Sequence, residues 1–294
     1  MPELPDIVVY IDRWRERVLG TPLRRIRVAT PWVLRSYDPP LHAVEDKVVA
    51  GFHRLGKRIV LELTDGPFVV IHLMVAGRLR WRDTGVAIPK KRGLAAFDFD
   101  VGSVLFTEEG TKKRASIHLV ADEAGLADHD RGGVEPLDSN PREFAAGLTR
   151  ERHTLKRGLT DARLVSGIGG AYADEIMHRA QLSPMVRTDR LTVEELARLH
   201  GAAVDVLEEW TARLGDEVGD GFPEKVTAFH PAMAVHGKFG EPCPVCGSPV
   251  QRIVYASNET NYCPGCQTDG KILADRSLSR LLKDDFPRTL EDLE

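Results

Sequence analysis

Apolar positions Ile7, Val8, Ile11, Trp14, Val18 and Leu19 recur close to every 3.6 residues behind a Pro5-Asp6 start, a spacing that predicts an amphipathic helix packing one face on a core. From Leu23 to about Val120 the texture changes to short β-branched runs: "LRRIRVA", "KVVAGFHRL", "RIVLELT", "FVVIHLM", "GRLRW", "AAFDFDV", "SVLFTE" and "ASIHLV". Turn signals such as Asp65-Gly66 and Val101-Gly102 separate them, the pattern of an antiparallel sandwich or barrel. The stretch 121–141 is polar, Gly-rich and punctuated by proline, and it reads as a linker. A helical period returns in "REFAAGLTRERHTLKRGL", "AYADEIMHRAQL" and "TVEELARLHGAAVDVLEEWTARL", up to about Leu214. A loop then leads into a cysteine-bearing segment, and "DRSLSRLLKDD" with an acidic tail closes the chain.

These patterns predict an α+β protein: a β-sandwich with a leading helix over 1–125, a linker over 126–141, a helical domain over 142–235, a cysteine-bearing hairpin over 236–270, and a terminal helix and tail over 271–294. At 294 residues the chain is long enough for two ordinary domains, and 42% hydrophobic with 29% charged residues describes a soluble globular protein. No apolar run approaches the ~20 residues that cross a bilayer. The start "PELPDIVVYIDRWRER" carries charge throughout instead of a basic-then-apolar signal. A cytoplasmic monomer that binds no membrane is expected. The net charge of −4 gives no global argument for a nucleic-acid partner; were DNA the partner, the positive charge toward it would have to be local, with candidates at 90–92 (KKR), 112–114 (KKR) and 155–157 (LKR).

All four cysteines lie in "CPVC" (243–246) and "CPGC" (263–266), a C-x2-C-x16-C-x2-C pattern. Each pair offers two thiolates from a tight knuckle, and a short hairpin between the pairs closes a tetrahedral four-sulfur zinc site. Here the hairpin is "VQRIVY", a polar tip over 256–260 and a short return. Disulfides suit a reducing compartment poorly, and a redox pair needs no matched second pair. One zinc held by Cys243, Cys246, Cys263 and Cys266 has four protein ligands and is structural.

Three further features have both a bland and a chemical reading. Gly167, Gly169 and Gly170 precede the helix starting near Ala171, where backbone N–H groups can converge on an anion, or where two helices can simply pack closely. Lys57, after Gly56 at a strand start, can serve a groove or be a solvated surface lysine. Loss of Met1 would expose the secondary amine of Pro2 beside Glu3, a nucleophile found nowhere else in a polypeptide; alternatively, Pro2 is a stiff chain end.

Taken together, "PELPD", "GKRIVLEL" with Lys57, "IHLMVAGRL" at 71–79, "GIGGAYADE" at 167–175 and "HGKFGEPCPVCG" resemble, in order and over almost the whole chain, the formamidopyrimidine/endonuclease VIII family of DNA glycosylases. The resemblance implies a β-sandwich, a helix-two-turn-helix domain, a DNA-binding zinc finger, and excision of a damaged base with strand cleavage. It implies that Pro2 attacks the sugar C1′ to form a cationic iminium, that Glu3 handles protons, and that Lys57 contacts DNA and donates a proton in elimination. DNA contacts are expected from His72, Val75, Lys91, Lys113, Lys156, Gly170 and Asn258. The chain departs from the family at several of these. Gly170 replaces the phosphate-holding Asn of G-I-G-N, and Asn258 replaces the phosphate-gripping Arg of the zinc hairpin. Val75, in His72-Leu73-Met74-Val75-Ala76-Gly77, stands where a void-filling residue is expected, and "EEGTKKRAS" replaces D-P-R-R-F-G. A damage- or junction-binding protein with little turnover is the alternative reading. A zinc-ribbon transcription factor leaves the N-terminus unexplained.

Overall fold

The computed structural model describes residues 1–110, 112–255, 258–273, 280–283 and 286–293. The chain divides into two compact units, Met1–Arg131 with Glu209–Thr227, and Gly132–Glu208 with Ala228–Glu294.

In the first unit, helix α1 (Leu4–Val18) starts earlier than the apolar period suggests. Its N-cap Glu3 has extended backbone, a proline follows in the first turn, and the Glu3 N–H donates to Asp6 Oδ2 at 2.8 Å, satisfying a donor that a helix start otherwise leaves open. Ile7, Tyr10, Ile11, Trp14 and Val18 are buried on one face.

Two antiparallel sheets complete this unit among the described residues. One has the order β1 (Pro22–Leu23), β3 (Lys47–Leu55), β4 (Arg58–Leu63), β5 (Phe68–His72), β9 (Ser116–Val120); the other has β2 (Arg25–Val28), β7 (Gly93–Phe99), β8 (Gly102–Glu108), β6 (Gly77–Arg82). Period-two alternation aims Ile59, Leu61, Ile71 and Ile117 from the first sheet and Phe97, Phe99, Val104 and Phe106 from the second into one core. Trp14 anchors it, with ring centroids 5.5 Å from Phe52 and 5.3 Å from Phe97. The reverse side of the five-stranded sheet carries a smaller cluster, Val60, Val70 and Val120, with Leu126 from helix α2 (Glu123–Ala127) packed on it. The stretch expected to begin the linker is therefore partly helical, capped where Asp122 Oδ1 accepts from the Gly125 N–H.

Residues 209–227 join this unit although their sequence neighbours belong to the other. Phe222 enters the core with its ring 5.7 Å from Tyr10 and 6.4 Å from Trp81. Arg82 forks onto Glu224 at 2.6 and 3.1 Å, and Arg78 Nε donates to the Val226 carbonyl at 3.0 Å.

In the second unit, the expected single helix over 142–159 is two: α3 (Pro141–Thr149), capped by Asn140 and Glu143, and α4 (Leu155–Thr160). The break forms because Thr188 fastens the intervening residues, its hydroxyl donating to the Glu151 carbonyl at 2.9 Å and its N–H to the His153 carbonyl at 2.9 Å. Helix α5 (Gly170–Arg179) follows. The long helix α6 (Val193–Val218) runs past the expected Leu214 and passes from this unit to the other at Glu209. The hairpin β10 (Gln251–Tyr255) and β11 (Asn258–Tyr262) has a tighter tip than expected, since Asn258, Glu259 and Thr260 already pair with Tyr255, Val254 and Ile253. Helix α7 (Pro264–Gln267) carries the last cysteine. The terminal helix expected over 275–285 lies largely outside the described residues, while Lys271 pairs with Thr289 beyond it.

Candidate active site and nucleic-acid interface

In the first unit the sequence-nominated trio comes together at the start of α1. Pro2 is buried and Glu3 is 3% exposed. Lys57 occupies the Gly56-Lys57 turn between β3 and β4 instead of a strand, with Gly56 at φ 59°. Burial drives the Lys57 ammonium below its ordinary pKa, and the Glu3 charge opposes that shift. The pKa of the Met1 amine is likewise lowered, first by burial; Glu3 and Asp6 oppose this, and Arg78 and Lys57 add to it. Burial thus favours the neutral form of an amine at this chain end, the form that carries a free electron pair.

Asp6 and Arg78 were not singled out from sequence. Asp6 is 8% exposed and burial pushes its carboxyl up to about 7, the Glu3 N–H bond pulling the other way. The i, i+3 spacing of Glu3 and Asp6 at a helix start was the available signal. Arg78 also donates to the Gly77 carbonyl at 2.7 Å and the Val75 carbonyl at 3.3 Å.

His72 ends β5, and its Nδ1 accepts the Met74 N–H at 2.9 Å, which leaves Nε2 as the ring's N–H donor. Burial, then Arg58, Lys57 and His118, bring its pKa down to about 4, so the ring is neutral near pH 7. Met74 has φ 54°, and the turn presents Val75 at 61% exposure. Gly77 is required there because a Cβ would stand 2.2 Å from the Leu73 carbonyl oxygen. Glu108, at the end of β8, braces residues 113–115: its buried carboxylate accepts from the Arg114 and Ala115 N–H groups, and Lys113 donates to its carbonyl. Lys91 is exposed, and with Lys90, Arg92 and Lys113 it lines a surface concavity of about 790 Å³.

The second unit carries a buried polar network. Asp174, fully buried on α5, accepts from Lys156 Nζ at 2.8 Å and the Asn261 N–H at 3.2 Å, and it meets His236 Nδ1 at 2.8 Å. Lys156 also donates to the Glu259 carbonyl at 2.6 Å, so this lysine, expected on DNA, is spent on joining α5 to the hairpin. Neighbouring Glu175 accepts the N–H groups of Ala234, Val235 and His236 at 2.8 to 2.9 Å. Gly170 opens α5 with nothing within 4 Å of where a Cβ would stand, so packing does not impose glycine there. Asn258 is exposed at the start of β11.

The cysteines converge as their spacing requires. Sγ atoms of Cys246 and Cys263 are 3.3 Å apart and those of Cys243 and Cys266 are 3.8 Å apart. The knuckles are tight: the Gly247 N–H donates to the Cys243 carbonyl, and a Cβ on Gly265 would stand 3.0 Å from Cys246 Sγ. Four clustered sulfurs fit a tetrahedral zinc. His178 Nε2 lies 3.3 Å from Cys243 Sγ, a neighbour that the cysteine pattern did not reveal.

Three family models match the chain in succession: the formamidopyrimidine-DNA glycosylase N-terminal domain over 1–115, its H2TH domain over 133–218, and the zinc finger found in FPG and IleRS over 240–268. The chain belongs to the formamidopyrimidine-DNA glycosylase family. The third match encloses all four cysteines, and one structural zinc belongs to this fold. The formamidopyrimidine-DNA glycosylase of Pelotomaculum thermopropionicum is 31% identical over 277 residues, 91% of this chain and 99% of its own. That of Thermus thermophilus is 33% identical, covering 92% and 100%. A formamidopyrimidine-DNA glycosylase-like protein of Mycobacterium tuberculosis is 39% identical over 151 residues, 51% of this chain and 94% of its own. The Lactococcus lactis Fpg solved with N7-benzyl-Fapy-dG DNA shares the fold at a TM-score of 0.80 and 24% identity, covering 91% of this chain and all of that one. Among the described residues no helix is long and apolar enough to cross a membrane.

Proposed function

We propose that this protein is a bifunctional DNA glycosylase and abasic-site lyase that excises a damaged base from DNA through the amine of Pro2. The observation that carries this reading is the clustering of buried Glu3 and Asp6 and partly buried Lys57 around the chain's N-terminal end, where the Met1 amine has a lowered pKa. After removal of Met1 the Pro2 nitrogen attacks C1′ and gives up its proton as the C1′–N bond to the base breaks, the electron pair leaving on the base; the C1′–O4′ bond then breaks, O4′ takes a proton, and the nitrogen lone pair closes the C1′ iminium. The resulting iminium is cationic because a secondary amine cannot form a neutral imine, and it accepts the electron pair released when a C2′ proton is taken up by base. The C3′–O bond then breaks and the phosphate-bearing strand departs. Glu3 carries the protons at the opening sugar and Lys57 donates in elimination. DNA is held by His72 through Nε2–H, by Val75 in the vacated stack, by Lys91 and Lys113 along the basic concavity, and by the α5 N-terminus at Gly170 with Asn258 on the hairpin.

Borohydride treatment on duplex DNA with an abasic site or oxidised bases should trap the protein covalently, and a blocked or extended N-terminus should abolish trapping. Equal trapping by the blocked form would assign the chemistry to a lysine. Tight damage binding with no trapping would favour the binding-protein alternative.

A further inference from the structure

The cationic cluster on the outer side of the five-stranded sheet lies outside the proposed chemistry. In register, Arg58, His72 and Ser116 stand abreast across β4, β5 and β9, and the Val60, Val70, His118 row follows two residues on. Because Ile59, Ile71 and Ile117 face the sandwich core, alternation puts Arg58, His72 and His118 on the opposite face. His129, just past α2, sets its ring edge-on to His118 with centroids 4.7 Å apart.

Arg58 sits at the centre of this group. Its guanidinium is half-buried, and among the described residues it has no hydrogen bond or ion pair. Arg131 faces it as a like charge and Asp130 as an opposite one; Arg35 faces His118, Lys57 faces His72, and Asp128 faces His129. Burial and these cations keep the His72 and His118 rings neutral near pH 7, each brought down to about 4. A half-buried guanidinium without a protein partner among the described residues keeps its donors available to an anion, and neutral imidazoles still offer one N–H each.

We propose that Arg58, His118 and His129 form a binding site for a single DNA backbone phosphodiester, continuing the track of phosphate contacts past His72 on the same sheet face. The proposal rests on the DNA-repair reading for its ligand, and continuity with His72 is what favours a phosphodiester over a free anion. Arg58 supplies a planar fork to two phosphate oxygens, with the edge-on His118–His129 pair closing one side.

The test uses the whole protein and a fluorescent duplex carrying a stable abasic analogue, with affinity measured by anisotropy across a salt series. Arg58→Gln should weaken binding by about tenfold, as loss of a charge-assisted hydrogen bond implies. It should also lower the slope of log affinity against log salt by about 0.9, one phosphate contact. Arg58→Lys, which keeps the charge and loses the fork, should recover the slope and only part of the affinity. Thermal melting of each variant checks the fold. Wild-type affinity and slope in Arg58→Gln would overturn the site while leaving the repair reading intact, whereas a wild-type protein that binds no DNA would overturn both. If inorganic phosphate raises the melting temperature of wild type but not of Arg58→Gln, with DNA binding equal in the two, the site takes a free anion and the proposal fails.

Discussion

Asp6 offers the sharpest test of how the N-terminal cluster is held. Its carboxyl titrates at about 7 in the folded protein against 3.8 as an ordinary aspartate, the rise coming first from burial. A native pKa above the unfolded one means that the folded state holds the extra proton between the two values, so the stabilisation is complete below about pH 4 and is lost as pH rises through 7. A rise of roughly 3 units at about 1.4 kcal/mol each sets the loss at ~4 kcal/mol, with a steepest slope of ~1.4 kcal/mol per pH unit. Asp6→Asn imitates the protonated form: its amide oxygen can still accept the Glu3 N–H, and it never ionises. The variant should match wild type near pH 4 and be more stable by 2 to ~4 kcal/mol at pH 8. Urea unfolding followed by tryptophan fluorescence reads the right unit, because all four tryptophans, Trp14, Trp32, Trp81 and Trp210, lie in it. The difference between the two proteins at each pH isolates Asp6 from every other titrating group. Since the Asp6 charge raises the pKa of the Met1 amine, it should do the same for a Pro2 amine exposed at this chain end, and the acid limb of the borohydride-trapping profile should also move to lower pH in the variant. Parallel stability curves from pH 4.5 to 8.5 would show that Asp6 is ionised and solvated natively and would refute the reasoning.

Phe222→Ala should cost about 3 kcal/mol, roughly a hundredfold in the folding equilibrium, because the ring is 9% exposed and packs on Tyr10 and Trp81; a loss under about 1 kcal/mol in the same urea assay would mean that residues 209–227 detach independently. Glu175→Gln turns an acceptor toward backbone N–H groups into a donor and should destabilise the second unit by about 2 kcal/mol, seen as faster hydrogen exchange at Val235 and His236. Cys263→Ser or strong chelation should remove zinc and loosen the 240–268 segment together, which metal analysis alongside proteolysis will register. Asn258→Arg should steepen the salt dependence of DNA binding by about one unit and raise the share of β,δ-elimination product on abasic DNA gels.

Local pattern alone determined the amphipathic helix at the N-terminus, the run of short antiparallel strands and the four-cysteine zinc knuckle. In each the deciding information is a short-range spacing: 3.6 for a helix, two for a strand, C-x2-C for a pair of thiolates. Pro2, Glu3 and Lys57 were nominated by their positions within a recurring order of segments, and the fold places them near one another at the start of the first helix. Tertiary structure decided what depends on residues distant in sequence. Lys156 reads like any basic residue until Asp174 and the Glu259 carbonyl, 18 and 103 residues away, claim its ammonium. Asp6 reads as a helix-start aspartate, and only burial beside the N-terminal amine moves its proton to neutral pH. Phe222 lies in what reads as a loop after the last long helix, yet it finds its pocket between Tyr10 and Trp81, which no periodicity encodes. Arg58, His72 and His118 sit on three strands whose register is fixed by pairing, so their convergence exists only once the sheet is formed. Spacing along the chain sets the elements, whereas charge, burial and proton affinity at the sites are properties of neighbours brought together through space.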